Sequence, residues 1–289
     1  MAHGEPENAR GRGSAPPVLS VIIPMYQEAE RIGETLRDVI ATLDAWDVPC
    51  EVLAVDDGSS DGCAEIVRQI AAECARCGSA SAARTRVITL PENRGKGAAV
   101  RTGLAESSGH WSLMMDADNS ARILELPKLA AAANRARVGL VVGSRVTEDA
   151  DVKADPKRKF SGFVFRKILG SMGLRIVEDS QCGFKLYRRD LADLCAAKSV
   201  EDGFAFDLEH IGLAERSGLG VAEVGIRWVH KDGGTISVVR DGLKMIGEAR
   251  RIRDRLRSVE PGIATNPPAS VLELKPIGEP DRAPIGASR

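Results

Sequence analysis

Residues 111–120 read WSLMMDADNS. Mostly apolar positions run into Asp116 and Asp118, separated only by Ala117, so a run suited to a buried strand ends on two mutually repelling acids. The same pattern recurs upstream. VLSVIIP (18–24) leads into Met25-Tyr26-Gln27-Glu28, and EVLAVDDGSSDG (51–62) is a strand that ends on Asp56 and Asp57. Helical spacing fills the intervals: EAERIGETLRDVIATLDAW (28–46), the stretch after Asp61, where that acid predicts an N-cap, and the stretch after NRGKG (93–97). TRVITL (85–90) supplies another strand. After a helix near 124–136, RVGLVVGSR (137–145) supplies a fifth. Short, almost wholly apolar strands alternating with helices predict an α/β fold with a mostly parallel central sheet covered by helices on both faces.

Downstream the alternation loosens. TEDADVKADPKRKF (147–160) reads as a polar loop, SGFVFRKILGSMGLRI (161–176) as a helix and GFAFDLEHIGLAERSG (203–218) as a helix ending at Gly218. GVAEVGIRWVH (220–230) reads as a strand, and TISVVRDGLKMIGEARRIRDRLRS (235–258) as a C-terminal helix. The expected organisation is a flexible segment over 1–16, one domain over 17–257 divided into halves at 145/146, and a proline-rich disordered tail over 258–289.

The 289 residues are 43% hydrophobic and 28% charged with a formal net charge of −1, which excludes bulk attraction to nucleic acid. No run approaches the roughly 18 apolar residues of a membrane span, and the first residues, MAHGEPENARGRGSAPP, contain no secretory core. A cytoplasmic location is expected. Cys74 and Cys77 have CxxC spacing, but no second pair or His cluster completes a zinc site, so the six cysteines are expected to be reduced thiols. His110, His210 and His230 show no ligand spacing.

In an open α/β sheet, ligands bind beyond the carboxyl ends of the strands. Glu28, the pair Asp56 and Asp57, and the pair Asp116 and Asp118 would all face that crevice. Like charges brought together need a cation, and Asp116 with Asp118 suits Mg²⁺ or Mn²⁺, which accept one or two carboxylates and complete their shell with phosphate oxygens. NRGKG is not a P-loop, because GxxxxGK[ST] is absent.

In order and spacing, SVIIPMYQEAERI, VLAVDDGSSDG, NRGKGAAVRTG, MMDADNS and VVGSR resemble the nucleotide-sugar-binding half of glycosyltransferase family 2. EDSQCGFKLYRRD (178–190) and FAFDLEHIGLAERSG (204–218) are similar to motifs of the dolichyl-phosphate β-glucosyltransferase branch of polyprenyl-phosphate hexosyltransferases. The resemblance spans Val18 to Arg257. It implies a GT-A-like fold, with 17–145 binding the nucleotide sugar and 146–257 the acceptor. The implied reaction is metal-dependent, inverting transfer of a hexose, glucose from UDP-glucose, to a polyprenyl or dolichyl phosphate.

Roles carried over by the resemblance are as follows. Pro24, Tyr26 and Glu28 pack around the base and ribose, Asp57 with Asp56 meets the base, and Lys96 approaches the nucleotide. Asp116 and Asp118 hold the metal, with Asp118 the more direct ligand. Arg145 faces donor or acceptor phosphate, and Gln181 and Lys185 line the acceptor side. Asp207 falls where many members keep a catalytic base, with helix capping as its other reading; Asp207 and Glu209, two apart on a helix, cannot face the same way. Ser120 stands where mannose synthases of the group carry a metal-holding Gln, which favours the glucosyl reading. From Lys157 to Arg175 basic and apolar residues interleave without an acid, which suits peripheral contact with an anionic membrane on its cytoplasmic face. EARRIRDRLRS (248–258) reads as a solvated charged face. The alternatives are a family 2 enzyme with a soluble or polysaccharide acceptor, a GDP-mannose-using polyprenyl-phosphate mannosyltransferase, and a non-catalytic nucleotide-sugar-binding protein.

Overall fold

Each upstream apolar run becomes a strand. The structure is a computed structural model that describes residues 17–147, 150–153, 177–229, 231, 238–259 and 271–274. In chain order, β1 (Leu19–Met25), α1 (Ile32–Trp46), β2 (Cys50–Asp56), α2 (Cys63–Arg76), α3 (Ala80–Ala83), β3 (Thr85–Thr89) and α4 (Lys96–Glu106) come first. Then follow β4 (Trp111–Met115), α5 (Leu126–Ala136), β5 (Leu140–Ser144) and β6 (Asp151–Lys153). The last elements are β7 (Phe184–Arg188), α6 (Arg189–Lys198), α7 (Phe206–Arg216), β8 (Val221–Gly225), β9 (Arg227–Val229) and α8 (Val238–Ser258).

One sheet has the order β3-β2-β1-β4-β7-β5-β8, and β6 pairs with β9 in a small second sheet. All neighbours in the large sheet are parallel except β7, which runs antiparallel to both β4 and β5. β1, β2, β4, β5 and β7 are buried along their whole length, whereas the edge strands β3 and β8 are partly exposed. In β1 alone Leu19, Val21, Ile22 and Ile23 are completely buried. Each such side chain contributes about 1.5–3 kcal/mol of transfer free energy. α1 packs against α2 and α3, while α4 packs against α6 and α7.

Several expectations change. FKLYR (184–188) and RDLADLCAAK (189–198) form β7 and α6, neither of which the sequence pattern announced. The stretch 220–230 is two strands: β8 stays in the large sheet, Ile226 donates to the Ser144 carbonyl (3.0 Å), and β9 leaves for the second sheet. α1 starts at Ile32 rather than 28, because Arg31 and Ile32 first close a turn on the Glu28 carbonyl. Asp61 does bond the first N–H of α2, at Cys63 (3.1 Å), but from one residue before the cap, Gly62. The proposed helix at 161–176 and the basic–apolar stretch 157–175 lie outside the described residues.

The division at residue 145 does not divide the sheet, since β7 and β8 pair directly with strands of the first half. Within the segment expected to be disordered, residues 271–274 lie against α5. Leu272 is buried, and its backbone exchanges hydrogen bonds with the Asn134 amide (3.0 and 3.3 Å). On α8, Ala249, Ile252 and Leu256 are buried while Arg250, Arg251 and Arg257 face water, as the charged-face reading expects, but Glu248 is buried and Arg255 pairs with Glu201 and Glu209.

Candidate functional site

From β1 the chain winds outward through β2 to β3, then returns to place β4 on the other flank of β1. The carboxyl ends of β1 and β4 are therefore the topological switch point, where open α/β sheets bind their ligands. Asp116 and Asp118 stand at that point. Both are half-exposed, whereas Ala117, Asn119 and Ser120 around them are buried. The turn that produces this alternation is pinned residue by residue. The Ala117 carbonyl accepts the Thr35 hydroxyl (2.6 Å), Asp118 Oδ1 accepts the Ser120 N–H (2.9 Å), and Asn119 adopts φ 57°. Asn119 donates to Asp38, which Arg122 also grips with two hydrogen bonds.

Behind Asp116 lies Gly183. Its carbonyl accepts the Asp116 N–H (3.1 Å), and a Cβ at this position would sit 1.9 Å from Asp116 Oδ2. Any side chain at 183 would force the Asp116 carboxylate out of this position. In front of Asp116 lies Lys96, whose ammonium is 2.5 Å from Oδ1. Burial would lower the Lys96 pKa, but Asp116 and then Asp207 outweigh it and hold the amine above its usual value.

Lys96 is the first residue of α4, and the start of that helix is fixed by protein groups. Asp57 accepts the N–H groups of Arg94 (2.9 Å) and Gly95 (2.7 Å), one on each oxygen. The Asp202 carbonyl accepts those of Gly97 (2.7 Å) and Ala98 (3.2 Å). Gly95 sits at φ 112°, and a side chain there would strike that same carbonyl. Three N–H groups of NRGKG, those of Arg94, Gly95 and Gly97, are thus taken up by the fold. Asp57, matched to the base-binding acid, is buried with both oxygens on this loop. Asp56 is also buried and accepts the Ser59 N–H (3.0 Å).

On the β1 side, Pro24 is buried within the strand and Tyr26 is exposed. Glu28 is half-buried and makes two hydrogen bonds of 2.7 Å with Arg31. Its carboxyl is nevertheless raised above the usual range, first by burial, which the Arg31 charge opposes and the nearby Asp118 and Asp116 reinforce. Gln27, which the sequence reading did not single out, and Asp61, expected only as a helix cap, hold this loop. Gln27, at φ 56°, accepts the N–H groups of Ser60 and Asp61, and Asp61 accepts that of Ala29.

Arg145 directly follows β5, and Asp179, another residue the sequence reading passed over, clasps it. Nε and Nη2 of the arginine each lie 2.8 Å from a different Asp179 oxygen, and the Arg145 N–H is a third bond (2.9 Å). The guanidinium also lies 5.6 Å above the Trp228 ring. Burial would raise Asp179, but Arg145 prevails and holds it below the ordinary carboxylate range. Val229 donates to the Ser120 carbonyl (2.9 Å), joining this wall to the Asp118 turn.

The acceptor-side pair departs most from expectation. Lys185 is wholly buried in β7, its ammonium 2.5 Å from the Cys182 carbonyl and 2.7 Å from Asp207 Oδ1. The approach to Asp207 is off the hydrogen-bonding direction, so this contact is an ion pair. Such a lysine presents no ammonium at an open surface. Asp207, matched to a catalytic base, is itself buried in the first turn of α7; burial raises it, and Lys185 and Lys96 oppose that rise. Glu209 faces elsewhere, accepting the N–H groups of Val200 and Glu201 and pairing with Arg255 of α8. Gln181 is half-buried and its Nε2 has no hydrogen-bond partner among the described residues.

The site suits a divalent cation by its donor chemistry. Asp116, Asp118 and the neighbouring Glu28 are all hard oxygen donors, and the buried Ser120 Oγ, two residues past Asp118, has no hydrogen-bond partner among the described residues. No cluster of three or more His, Cys, Asp or Glu side chains converges among the described residues, so the remaining ligands would come from substrate and water. No described helix is long and apolar enough to cross a membrane.

The chain is similar to several characterised proteins. A dolichyl-phosphate beta-glucosyltransferase of Saccharomyces cerevisiae is 30% identical over 249 residues, 81% of this chain and 74% of that one. One from Trichomonas vaginalis is 34% identical over 218 residues, covering 72% and 62% respectively. In fold, it is similar to Mycobacterium tuberculosis glucosyl-3-phosphoglycerate synthase, solved with Mn²⁺, UDP-glucose and phosphoglyceric acid. The TM-score is 0.59 at 20% identity, over 83% of this chain and 80% of that one. The family model for glycosyl transferase family 2 matches residues 20–194, and with the α/β sheet and its acid-lined switch point this places the chain in that family of enzymes.

Proposed function

We propose that this enzyme moves glucose from UDP-glucose to a polyprenyl phosphate, with inversion at the anomeric carbon, in the presence of Mg²⁺ or Mn²⁺. The observation that carries the reading is the pair of half-exposed acids, Asp116 and Asp118, at the switch point beside Lys96. The dolichyl-phosphate glucosyltransferases to which the chain is similar supply the donor sugar and acceptor class.

Asp116 and Asp118 would hold the cation, which when bound neutralises charge on the departing diphosphate. Arg145, held by Asp179 and set over Trp228, would offer its guanidinium to a phosphate oxygen. A lipid phosphate is already anionic near neutral pH and needs no base, only positioning against cations. The burial of Asp207 in an ion pair supports this choice over a hydroxyl acceptor, whose proton would need an accessible carboxylate. Gln181 would lie on the acceptor side, with Lys185 and Asp207 as the buried support beneath it. Tyr26 and Glu28 would flank the base and ribose, next to Pro24 and the loop that Asp56 and Asp57 brace. The lipid acceptor implies peripheral work at the cytoplasmic face of a membrane, for which the 157–175 sequence pattern is the support.

The test is a donor screen with UDP-glucose, UDP-GlcNAc and GDP-mannose, each with Mn²⁺ or Mg²⁺, on polyprenyl phosphate and on 3-phosphoglycerate. Glucosyl transfer to the lipid is expected, with a fall of about two orders of magnitude or more in Asp118→Ala. Transfer to the soluble acid alone, or no turnover with any donor, overturns the assignment.

A further inference from the structure

The ammonium of Lys96 already occupies the space beside Asp116 Oδ1, at 2.5 Å. A divalent ion bound to that oxygen and an ammonium at contact distance would repel one another, so the two compete for it. The lysine backbone is held where it is. Asp57 and the Asp202 carbonyl fix both sides of the α4 start, and Asp202 is itself gripped by Arg94 (3.2 Å) and by Arg101. Only the side chain is free to move, and it is about a quarter exposed, at 23%. A second acid, Asp207, is also felt by Lys96, but Lys185 already pairs with it. An anionic diphosphate entering the crevice is therefore the natural destination for a displaced ammonium.

We propose that Lys96 is a resident counter-ion that a divalent cation must displace from Asp116, and that the displaced ammonium passes to the donor diphosphate, coupling metal binding to nucleotide binding. This rests on the reading of Asp116 and Asp118 as the metal-holding pair. Without nucleotide, Lys96 competes with the metal. With nucleotide, the same lysine gains a partner on release, so metal and nucleotide strengthen one another reciprocally.

The experiment is Mn²⁺ binding, by electron paramagnetic resonance or calorimetry, with and without UDP. The proteins compared are the wild type, Lys96→Met, Lys96→Gln, Lys96→Arg and Asp118→Asn, each first shown to melt cooperatively. Both neutral variants are expected to bind Mn²⁺ alone about tenfold tighter than wild type, because a competing charge is gone. In them UDP should improve Mn²⁺ binding by a smaller factor than in wild type, whereas Lys96→Arg should behave like wild type. Neutral variants that bind Mn²⁺ alone no tighter, or that keep the full UDP enhancement, overturn the proposal. The underlying reading fails differently: Mn²⁺ would then bind no protein even with UDP, or Asp118→Asn would bind it as well as wild type.

Discussion

At the scale of single residues, the site depends on one position without a side chain. A methyl group at Gly183 would overlap the Asp116 carboxylate, so Gly183→Ala must push that acid toward the crevice or shift β7. Activity in Gly183→Ala should fall by about one to two orders of magnitude with a higher Mn²⁺ requirement, while the melting temperature drops by only a few degrees. Retention of full activity at limiting Mn²⁺ would contradict that role. The acids themselves were legible in the sequence, because a charge that closes an apolar run advertises itself. Gly183 appeared only as part of a motif, since its reason lies 67 positions upstream in the chain at Asp116. Asp179 was silent for the same reason, and Lys185 misleads: a lysine signals a surface, yet Asp207 and the Cys182 carbonyl make a buried ammonium tolerable.

At the scale of elements, α8 and the turn before α7 hold each other through Arg255, which pairs with Glu201 (2.6 Å) and Glu209 (2.9 Å). That turn supplies the carbonyl that caps α4, so α8 acts on the start of the Lys96 helix through the 200–203 segment. Arg255→Met leaves two buried carboxylates without this cation. Since the arginine is partly exposed, the cost should be about 1–3 kcal/mol rather than that of a fully buried pair, read as a lower urea midpoint. An unchanged midpoint would show that the clamp carries no stability. The sequence revealed α8 through its apolar stripe, and β1, β2, β4 and β5 through unbroken apolar runs. It concealed β7, because FKLYR carries polar groups that only its central place between β4 and β5 explains. It also fused β8 with β9, since a strand that changes sheets at Ile226 keeps its apolar character across the break.

At the scale of the whole molecule, acid stability is set in part by one interior imidazole. His210 is fully buried, edge-on to Tyr187 and Phe206, and burial, with Lys185 and Arg101, depresses its pKa from 6.5 to about 3. The unfolded chain binds a proton there below the usual histidine value of about 6.5 and the folded one does not, so stability falls as pH drops from about 6.5 toward 3. The loss from this group approaches about 1.4 kcal/mol per pH unit within that window. Urea midpoints measured from pH 4 to 7 should therefore slope less in His210→Phe than in wild type; identical slopes would remove His210 from the balance. The general architecture was visible in the alternation of strands and helices, but the insertion of a reversed strand was not, and that insertion orders the assembly of the chain. During synthesis β4 and β5 emerge before β7, and each then shows a bare ladder of peptide groups toward the gap between them. Such open edges invite pairing with other chains. The sheet therefore closes on both flanks of β5 only once β7 and then β8 (Val221–Gly225) have been made.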